Sequence, residues 1–188
     1  MPDTPQRYAY VSHCLFNANA KVDEFAPCAG THPGLLRLLR ENHYVIRQMP
    51  CPELAFAGLN RFWQVREQYD TPAYRRHCSA LVDPIATLIA HDLAGGDAEV
   101  VLVGVDGSPS CGVRFTSSGS DWGGRPDKPG DFDSDIVGGK GIFVEILLAK
   151  LTERGIAEPR VTAMTTDMPD GDEKTALAEI DAVLVGVS

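Results

Sequence analysis

Residues 100–111 read Val-Val-Leu-Val-Gly-Val-Asp-Gly-Ser-Pro-Ser-Cys, an apolar run that passes directly into a turn-forming segment. A short valine-rich run is typical of a β-strand buried on both faces, the usual state of a strand in a parallel sheet. The glycine, proline and serine residues that follow end the strand. They place Cys111 just beyond its carboxyl end, where ligands bind in open α/β sheets.

Two other cysteines occupy the same kind of position. Cys14 follows the strand-like run at 8–12, Tyr-Ala-Tyr-Val-Ser, and Cys51 follows the run at 44–49, Tyr-Val-Ile-Arg-Gln-Met. Because the carboxyl ends of parallel strands gather at one edge of a sheet, we expect the three thiols to converge there. Three converging thiols can hold a metal or cluster and leave one coordination position free, which is typical of a catalytic site.

Helical patterns separate the strands, and the alternation continues to the end of the chain. The pattern predicts a single α/β domain over residues 1–188, with a three-layer, Rossmann-like fold. Its mainly parallel sheet has about four strands, with helices on both faces. Two helices are expected to begin near Pro33 and near Pro72, the second after an N-cap at Asp70 or Thr71. Two further helices are expected over 142–151 and 173–184, and the fourth strand over 160–165.

Two segments lack a clear period. Residues 53–69 contain adjacent aromatic side chains but no helical or strand repeat. Residues 116–139 are rich in Gly, Ser, Asp and Pro, and a segment of that length predicts either a mobile lid or a functional loop. Neither a Gly-x-Gly-x-x-Gly motif nor a Walker A loop is present in the sequence, so no nucleotide motif supports nucleotide binding.

Composition and charge indicate which classes of partner the protein can have. The net charge of −9 and the pI of about 4.9 make nucleic acid an unlikely partner and favour a small, neutral or weakly charged substrate. The sequence shows no secretory signal and no apolar run of membrane-spanning length, so no membrane association and a cytoplasmic location are expected. Five cysteines, an odd number, favour metal or thiol chemistry over a disulfide framework. A homodimer is left open.

The neighbours of two cysteines favour a functional role over that of small buried side chains. Cys51 lies between Pro50 and Pro52, and Glu53 places an ionisable carboxyl close to the thiol. Cys111 follows a Ser-Pro-Ser turn, which places hydroxyl groups beside the sulfur. The chain has no Cys-x-x-Cys pair, the usual zinc spacing, so only the fold can bring these ligands together.

Three segments together resemble the thiouracil desulfurase (TudS) family. They are Ser12–Leu15 (Ser-His-Cys-Leu), Cys51–Glu53 (Cys-Pro-Glu) followed by Gly58–Leu59, and Ser108–Gly112 (Ser-Pro-Ser-Cys-Gly). The last motif is the most specific of the three. The resemblance covers roughly the first three quarters of the chain.

The resemblance implies a site and an activity. Cys14, Cys51 and Cys111 would each bind one iron of a 4Fe-4S cluster, and the fourth iron would have no protein ligand. Glu53 and Ser108 would be the catalytic residues beside that iron, handling protons and substrate orientation. The implied activity is that of a desulfidase, which removes sulfur from a thiolated heterocycle or another thiocarbonyl small molecule without net electron transfer and releases sulfide.

The chain also departs from the family pattern. Asn17 stands where the family has a glycine, Lys-Val-Asp-Glu at 21–24 replaces an Arg-Tyr-Asp-Gly-like stretch, and Asn-Arg-Phe-Trp at 60–63 replaces Pro-Thr-Pro-Arg. We expect these segments to line the substrate pocket. The departures indicate a divergent member whose substrate is either thiouracil or another thiocarbonyl compound.

Two other functions stay open at this point. In the first, Cys28 is a fourth ligand, and the protein is a non-catalytic iron-sulfur or zinc module that serves as a sensor or scaffold. In the second, Cys111 is the nucleophile of a hydrolase that uses a distant histidine. The second leaves the Cys-Pro-Glu motif unexplained.

Overall fold

The computed structural model describes residues 5–22, 26, 28–119, 123 and 135–186 of the chain. Its strands are β1 (Arg7–Val11), β2 (Tyr44–Gln48), β3 (Glu99–Val105), β4 (Phe115–Ser118), β5 (Asp135–Gly138) and β6 (Arg160–Met164). Its α-helices are α1 (Pro33–Glu41), α2 (Pro52–Ala57), α3 (Arg66–Tyr69), α4 (Pro72–Leu93), α5 (Ile142–Glu153) and α6 (Glu173–Leu184).

Four strands form a parallel sheet in the order β2-β1-β3-β6. The central pair is in register, with Val11 of β1 opposite Val103 of β3. Every residue of β3 after Glu99 is buried, as expected for a strand covered on both faces. Helices α1 and α6 pack together and contact strands β2 and β6. Helices α4 and α5 pack together, and α4 contacts β3, so the sheet is flanked by helices. The predicted fold class is confirmed.

The helices begin where the sequence supplies caps. The Thr71 hydroxyl accepts a hydrogen bond from the amide of Tyr74 at the start of α4, with Pro72 in the first turn. The Asp172 carboxylate accepts from the amide of Thr175 in the same way at the start of α6. The buried apolar side chains of both helical layers and of the sheet form one continuous core cluster. No described helix is both long and apolar enough to cross a membrane.

Local structure differs from expectation in two places. Residues 53–69 contain the short helices α2 and α3, too short to show a period. The ends of the segment at 116–139 pair as the antiparallel hairpin β4–β5, while 120–122 and 124–134 lie outside the described residues. As expected, Cys14 lies beyond the end of β1, in a single 3-10 turn at His13–Leu15.

Candidate active site

A cavity of about 110 Å³ opens at the carboxyl edge of the parallel sheet. Each of the four strands sends a side chain to its wall from the third residue after the strand ends: Cys14 after β1, Cys51 after β2, Ser108 after β3 and Asp167 after β6. The wall therefore combines groups that are far apart in sequence, as expected for the edge of a parallel sheet. All five predicted site residues line it: Cys14, Cys51, Glu53, Ser108 and Cys111.

Cys14 is held by the turn that follows β1. The amide of Ser12 donates to the carbonyl of Val103 at 2.9 Å, which ties the start of this turn to the central strand. Burial raises the pKa of the Cys14 thiol to about 12. The nearby Lys21 ammonium opposes this effect, whereas the charge of Cys51 adds to it.

Cys51 occupies the N-cap of α2. Its sulfur accepts a hydrogen bond from the amide of Leu54 at 3.4 Å, and Pro52 fills the first helical position. Burial raises the pKa of this thiol, and the neighbouring Glu53 carboxylate raises it further. Pro50 and Pro52 flank Cys51 at this helix start, which presents both the Cys51 thiol and the Glu53 carboxylate to the cavity.

Ser108 shapes the loop that carries Cys111. Its hydroxyl oxygen accepts from the amides of Ser110 at 3.3 Å and Cys111 at 3.0 Å. The amide of Val105 donates to the Cys111 carbonyl at 2.9 Å and closes the loop against β3. Gly112 has no room for a side chain, because a β-carbon there would collide with the carbonyl of Phe115. The loop is therefore a compact turn held by several hydrogen bonds.

The three thiols influence one another electrostatically. Burial raises the pKa of Cys111 well above its ordinary value, and the charges of Cys14, Cys51 and Glu53 raise it further. The Ser12 hydroxyl acts in the opposite direction. The other two thiols and the Glu53 carboxylate therefore lie close enough to Cys111 to raise the pKa of its thiol.

This donor set fits an iron-sulfur cluster by its chemistry, since clusters take cysteine thiolates as ligands. Among the described residues, no group of three or more His, Cys, Asp or Glu side chains is arranged to hold a single metal ion. A cluster sets a different requirement, because each cysteine binds its own iron rather than one shared ion.

A buried ion pair holds Glu53. The guanidinium of Arg61 donates to the Glu53 carboxylate, with Nε 3.3 Å from Oε2, and also to the carbonyls of Gly58 and Ala20 at 3.2 and 2.8 Å. The Arg61 side chain is only 4% exposed. Tyr69 places its hydroxyl nearby, buried and without a hydrogen-bond partner among the described residues. Burial and the charge of Glu53 raise the pKa of Tyr69.

A second ion pair stands beside Cys14. The Lys21 ammonium donates to both carboxylate oxygens of Asp167, at 2.8 and 2.6 Å, and its side chain is 8% exposed. As expected for the two segments that depart from the family pattern, Lys21 and Arg61 both line the cavity. No sequence pattern predicts their partners, Asp167 for Lys21 and Glu53 for Arg61.

Two further wall residues were missed in the sequence. Asp167 shares its position after a strand end with the predicted residues, and that spacing could have identified it. Ser117 lies on β4, within the segment expected to be a lid or loop, and no sequence signal marks it.

The remaining cysteines lie elsewhere. Cys28 is half-buried, is not among the residues that line the cavity, and directs its thiol to the carbonyl of Gly30 at 3.9 Å. No described contact therefore supports Cys28 as a fourth ligand. Cys78 is fully buried in the apolar face of α4.

Comparison with known proteins agrees with the family resemblance. Residues 20–129 match the family described as "Putative 2-thiouracil desulfurase". The uncharacterized protein MJ0003 of Methanocaldococcus jannaschii is 32% identical over 108 residues, which cover 57% of this chain and 69% of that protein. The matched range includes Cys51, Glu53, Ser108 and Cys111 and begins after Cys14.

A solved structure, that of the 4Fe-4S-dependent thiouracil desulfidase TudS, also resembles this chain. The TM-score is 0.48 at 19% identity, with 92% of this chain and 99% of that one covered. The family match spans more than half of the sequence, and the chain therefore belongs to the 2-thiouracil desulfurase family.

Proposed function

We propose that this protein is a desulfidase that hydrolyses a thiocarbonyl small molecule, using a 4Fe-4S cluster bound by Cys14, Cys51 and Cys111. The observation that carries the proposal is that these three thiols, Glu53 and Ser108 line one cavity. Membership of the 2-thiouracil desulfurase family supports the same reaction class.

The cluster's contribution follows from its chemistry. When bound, a cluster with one iron free of protein ligands supplies a soft Lewis acid that takes thiocarbonyl sulfur and polarises the C=S bond. The net reaction, R₂C=S + H₂O → R₂C=O + H₂S, balances without an oxidant or reductant. The chain must therefore position the substrate and move protons.

Glu53 is the group proposed to move the protons in this reaction. Glu53 lines the cavity together with Cys51, and Arg61, which also lines it, donates a hydrogen bond to the Glu53 carboxylate. In this role Glu53 accepts a proton from the water that attacks the thiocarbonyl carbon and returns one to the departing sulfur. Because Arg61 is anchored to two carbonyls as well, the carboxylate is preorganised for this transfer.

Ser108 has a hydrogen left to donate. A hydroxyl group can accept two hydrogen bonds and donate one. Both acceptor sites of Ser108 are used by the amides of Ser110 and Cys111, and its O–H meets no acceptor among the described residues. We assign that O–H to the substrate ring or to the attacking water.

The charges on the wall indicate an uncharged substrate. The charged side chains of the described wall are Lys21, Asp167, Arg61 and Glu53, and they form two ion pairs. Apart from the proposed cluster and its thiolate ligands, these side chains leave no unpaired charge to balance a charged ligand. A neutral thiolated heterocycle meets this condition.

The deciding experiment is anaerobic reconstitution with iron and sulfide, followed by incubation with 2-thiouracil and related thiolated bases. We expect about four irons and four sulfides per chain, as the cluster type requires, and release of sulfide from at least one thiolated base. A reconstituted protein that holds no iron, or that holds a cluster and frees no sulfide from any of these compounds, would refute the proposal.

A further inference from the structure

Ser117 lines the cavity and carries a buried hydroxyl that meets no hydrogen-bond partner among the described residues. The residue is only 1% exposed. Buried polar groups in folded proteins are normally paired, because an unpaired group loses its bond to water and gains nothing in return. A ligand in the cavity could complete this bond.

The fold holds Ser117 in place through its backbone. Its amide donates to the carbonyl of Gly107 at 3.1 Å, and the hydroxyl of the preceding residue, Thr116, donates to the carbonyl of Ser108 at 3.2 Å. Strand β4 is thereby bound to the loop that carries Cys111. Neither bond uses the side-chain hydroxyl of Ser117, so this hydroxyl is not needed to hold the strand.

The charged side chains of the wall and the Ser108 hydroxyl, in contrast, have hydrogen-bond partners. Glu53 and Arg61 bond to each other, as do Lys21 and Asp167, and Ser108 accepts two amides. Of the described wall residues, Ser117 has the one buried side-chain nitrogen or oxygen that lacks a partner. A binding role suits it better than a structural role.

We propose that Ser117 is a substrate-binding residue whose hydroxyl forms a hydrogen bond with a polar ring atom other than the thiocarbonyl sulfur. This inference rests on the proposed function and deepens it. It makes the substrate an uncharged thiocarbonyl heterocycle that carries a second polar group, either a ring carbonyl or a ring nitrogen. The sulfur binds on the thiol side of the cavity, and Ser117 selects for the second group.

The test compares Ser117→Ala with Ser118→Ala. Ser118 follows on the same strand and faces the other side, and its hydroxyl donates to Glu67 outside the cavity wall. The probes are uracil, a product-like ligand whose binding is measured by calorimetry with and without the cluster, and 2-thiouracil, whose turnover is measured by sulfide release.

We expect Ser117→Ala to weaken uracil binding and to raise the KM for 2-thiouracil by about tenfold, the effect of one lost hydrogen bond. The kcat should change by less than about twofold, because the bond is present in both the ground and the transition state. Ser118→Ala should match the wild type. Without ligand, the melting temperature of Ser117→Ala should equal or exceed that of the wild type, because an unpaired buried hydroxyl is removed.

Three results would overturn the inference: unchanged uracil affinity and KM in Ser117→Ala, a wild type that binds no uracil, or a melting temperature lowered in the ligand-free variant. Its failure is distinct from failure of the proposed reaction. Normal sulfide release with an unaffected KM rejects the role of Ser117 alone. Uracil binding that depends on Ser117 in a protein that releases no sulfide rejects the reaction alone.

Discussion

Arg61 and Glu53 form an ion pair in which the cation is far more constrained than the anion. The guanidinium makes three hydrogen bonds, of which the one to Glu53 spans 3.3 Å and two hold backbone carbonyls. Arg61 joins the end of α2 to Ala20, in the segment between β1 and α1, and so fixes the Glu53 carboxylate relative to both segments that carry thiols. Arg61 is therefore a positioning residue for the proposed proton transfer, since it acts through Glu53.

Replacing Arg61 by Lys should keep the positive charge but no longer hold the Glu53 carboxylate in position. An ammonium cannot reproduce the planar, three-way hydrogen bonding of a guanidinium. We expect the rate of sulfide release to fall about 10- to 100-fold, as is usual when a supporting partner of a site residue is lost. Iron content should stay within error of the wild type, measured together with initial rates under anaerobic conditions.

Glu53→Gln is the companion variant. If Glu53 moves the proton, its rate should fall by about 100-fold or more, and adding Arg61→Lys should then cost little further. A double variant whose loss is the product of the two single losses would show that Arg61 acts independently of Glu53.

The three wall cysteines should be separable from Cys28 by their effect on iron. We expect Cys14→Ser, Cys51→Ser and Cys111→Ser each to lose most of the iron and acid-labile sulfide after anaerobic reconstitution, because each removes the ligand of one iron. Cys28→Ser is the matched control, since Cys28 is also a free, partly buried thiol. Loss of the cluster in that variant would favour the non-catalytic module instead.

The sequence predicted the parts of the site that come from single strand ends. The apolar run of β3 and the N-cap before Pro72, which the structure gives as Thr71, are local signals, and both elements form where expected. The positions of Cys14, Cys51 and Cys111 after strands follow from the same local reading combined with the rule for parallel sheets.

Pairings between distant segments were not predictable. Lys21 and Asp167 are 146 residues apart and meet only because of the sheet order, which no local pattern encodes. Ser117 was missed because a four-residue strand rich in serine carries no alternation of apolar and polar residues. The sequence thus predicts the cysteines, Glu53 and Ser108 as site residues, whereas Asp167, Ser117 and the two ion pairs are seen only in the fold.

In the metal-free protein, Cys14 should resist alkylation at neutral pH. Burial raises the pKa of its thiol to about 12, and the thiolate is the reactive form. The reaction rate with iodoacetamide should therefore rise about tenfold per pH unit from pH 7 up to the highest pH at which the protein stays folded. Peptide mass spectrometry after timed quenching measures this rate for each cysteine.

Unfolding provides the reference for that measurement. In denaturant the Cys14 thiol should return to an ordinary pKa near 8.5, and its rate should level off above about pH 9. A folded-state rate that levels off at the same pH would contradict the effect of burial.

Ser12 should influence the cluster through Cys111. The Ser12 hydroxyl is buried without a hydrogen-bond partner among the described residues, yet it opposes the rise that burial causes in the pKa of the Cys111 thiol. A thiolate that binds iron is a better acceptor than a thiol, so we expect the hydroxyl to donate to the Cys111 sulfur in the cluster-bound protein. Hydrogen bonds to cluster sulfurs are among the factors that set the reduction potential.

Ser12→Ala should therefore make the cluster harder to reduce, because the donor that stabilises the extra negative charge is gone. A potentiometric titration followed by electron paramagnetic resonance measures the midpoint potential, with Ser118→Ala as the control for loss of a hydroxyl elsewhere. Iron content should be unchanged in both variants. Equal midpoint potentials in Ser12→Ala, Ser118→Ala and the wild type would mean that the Ser12 hydroxyl does not bond to the ligating sulfur.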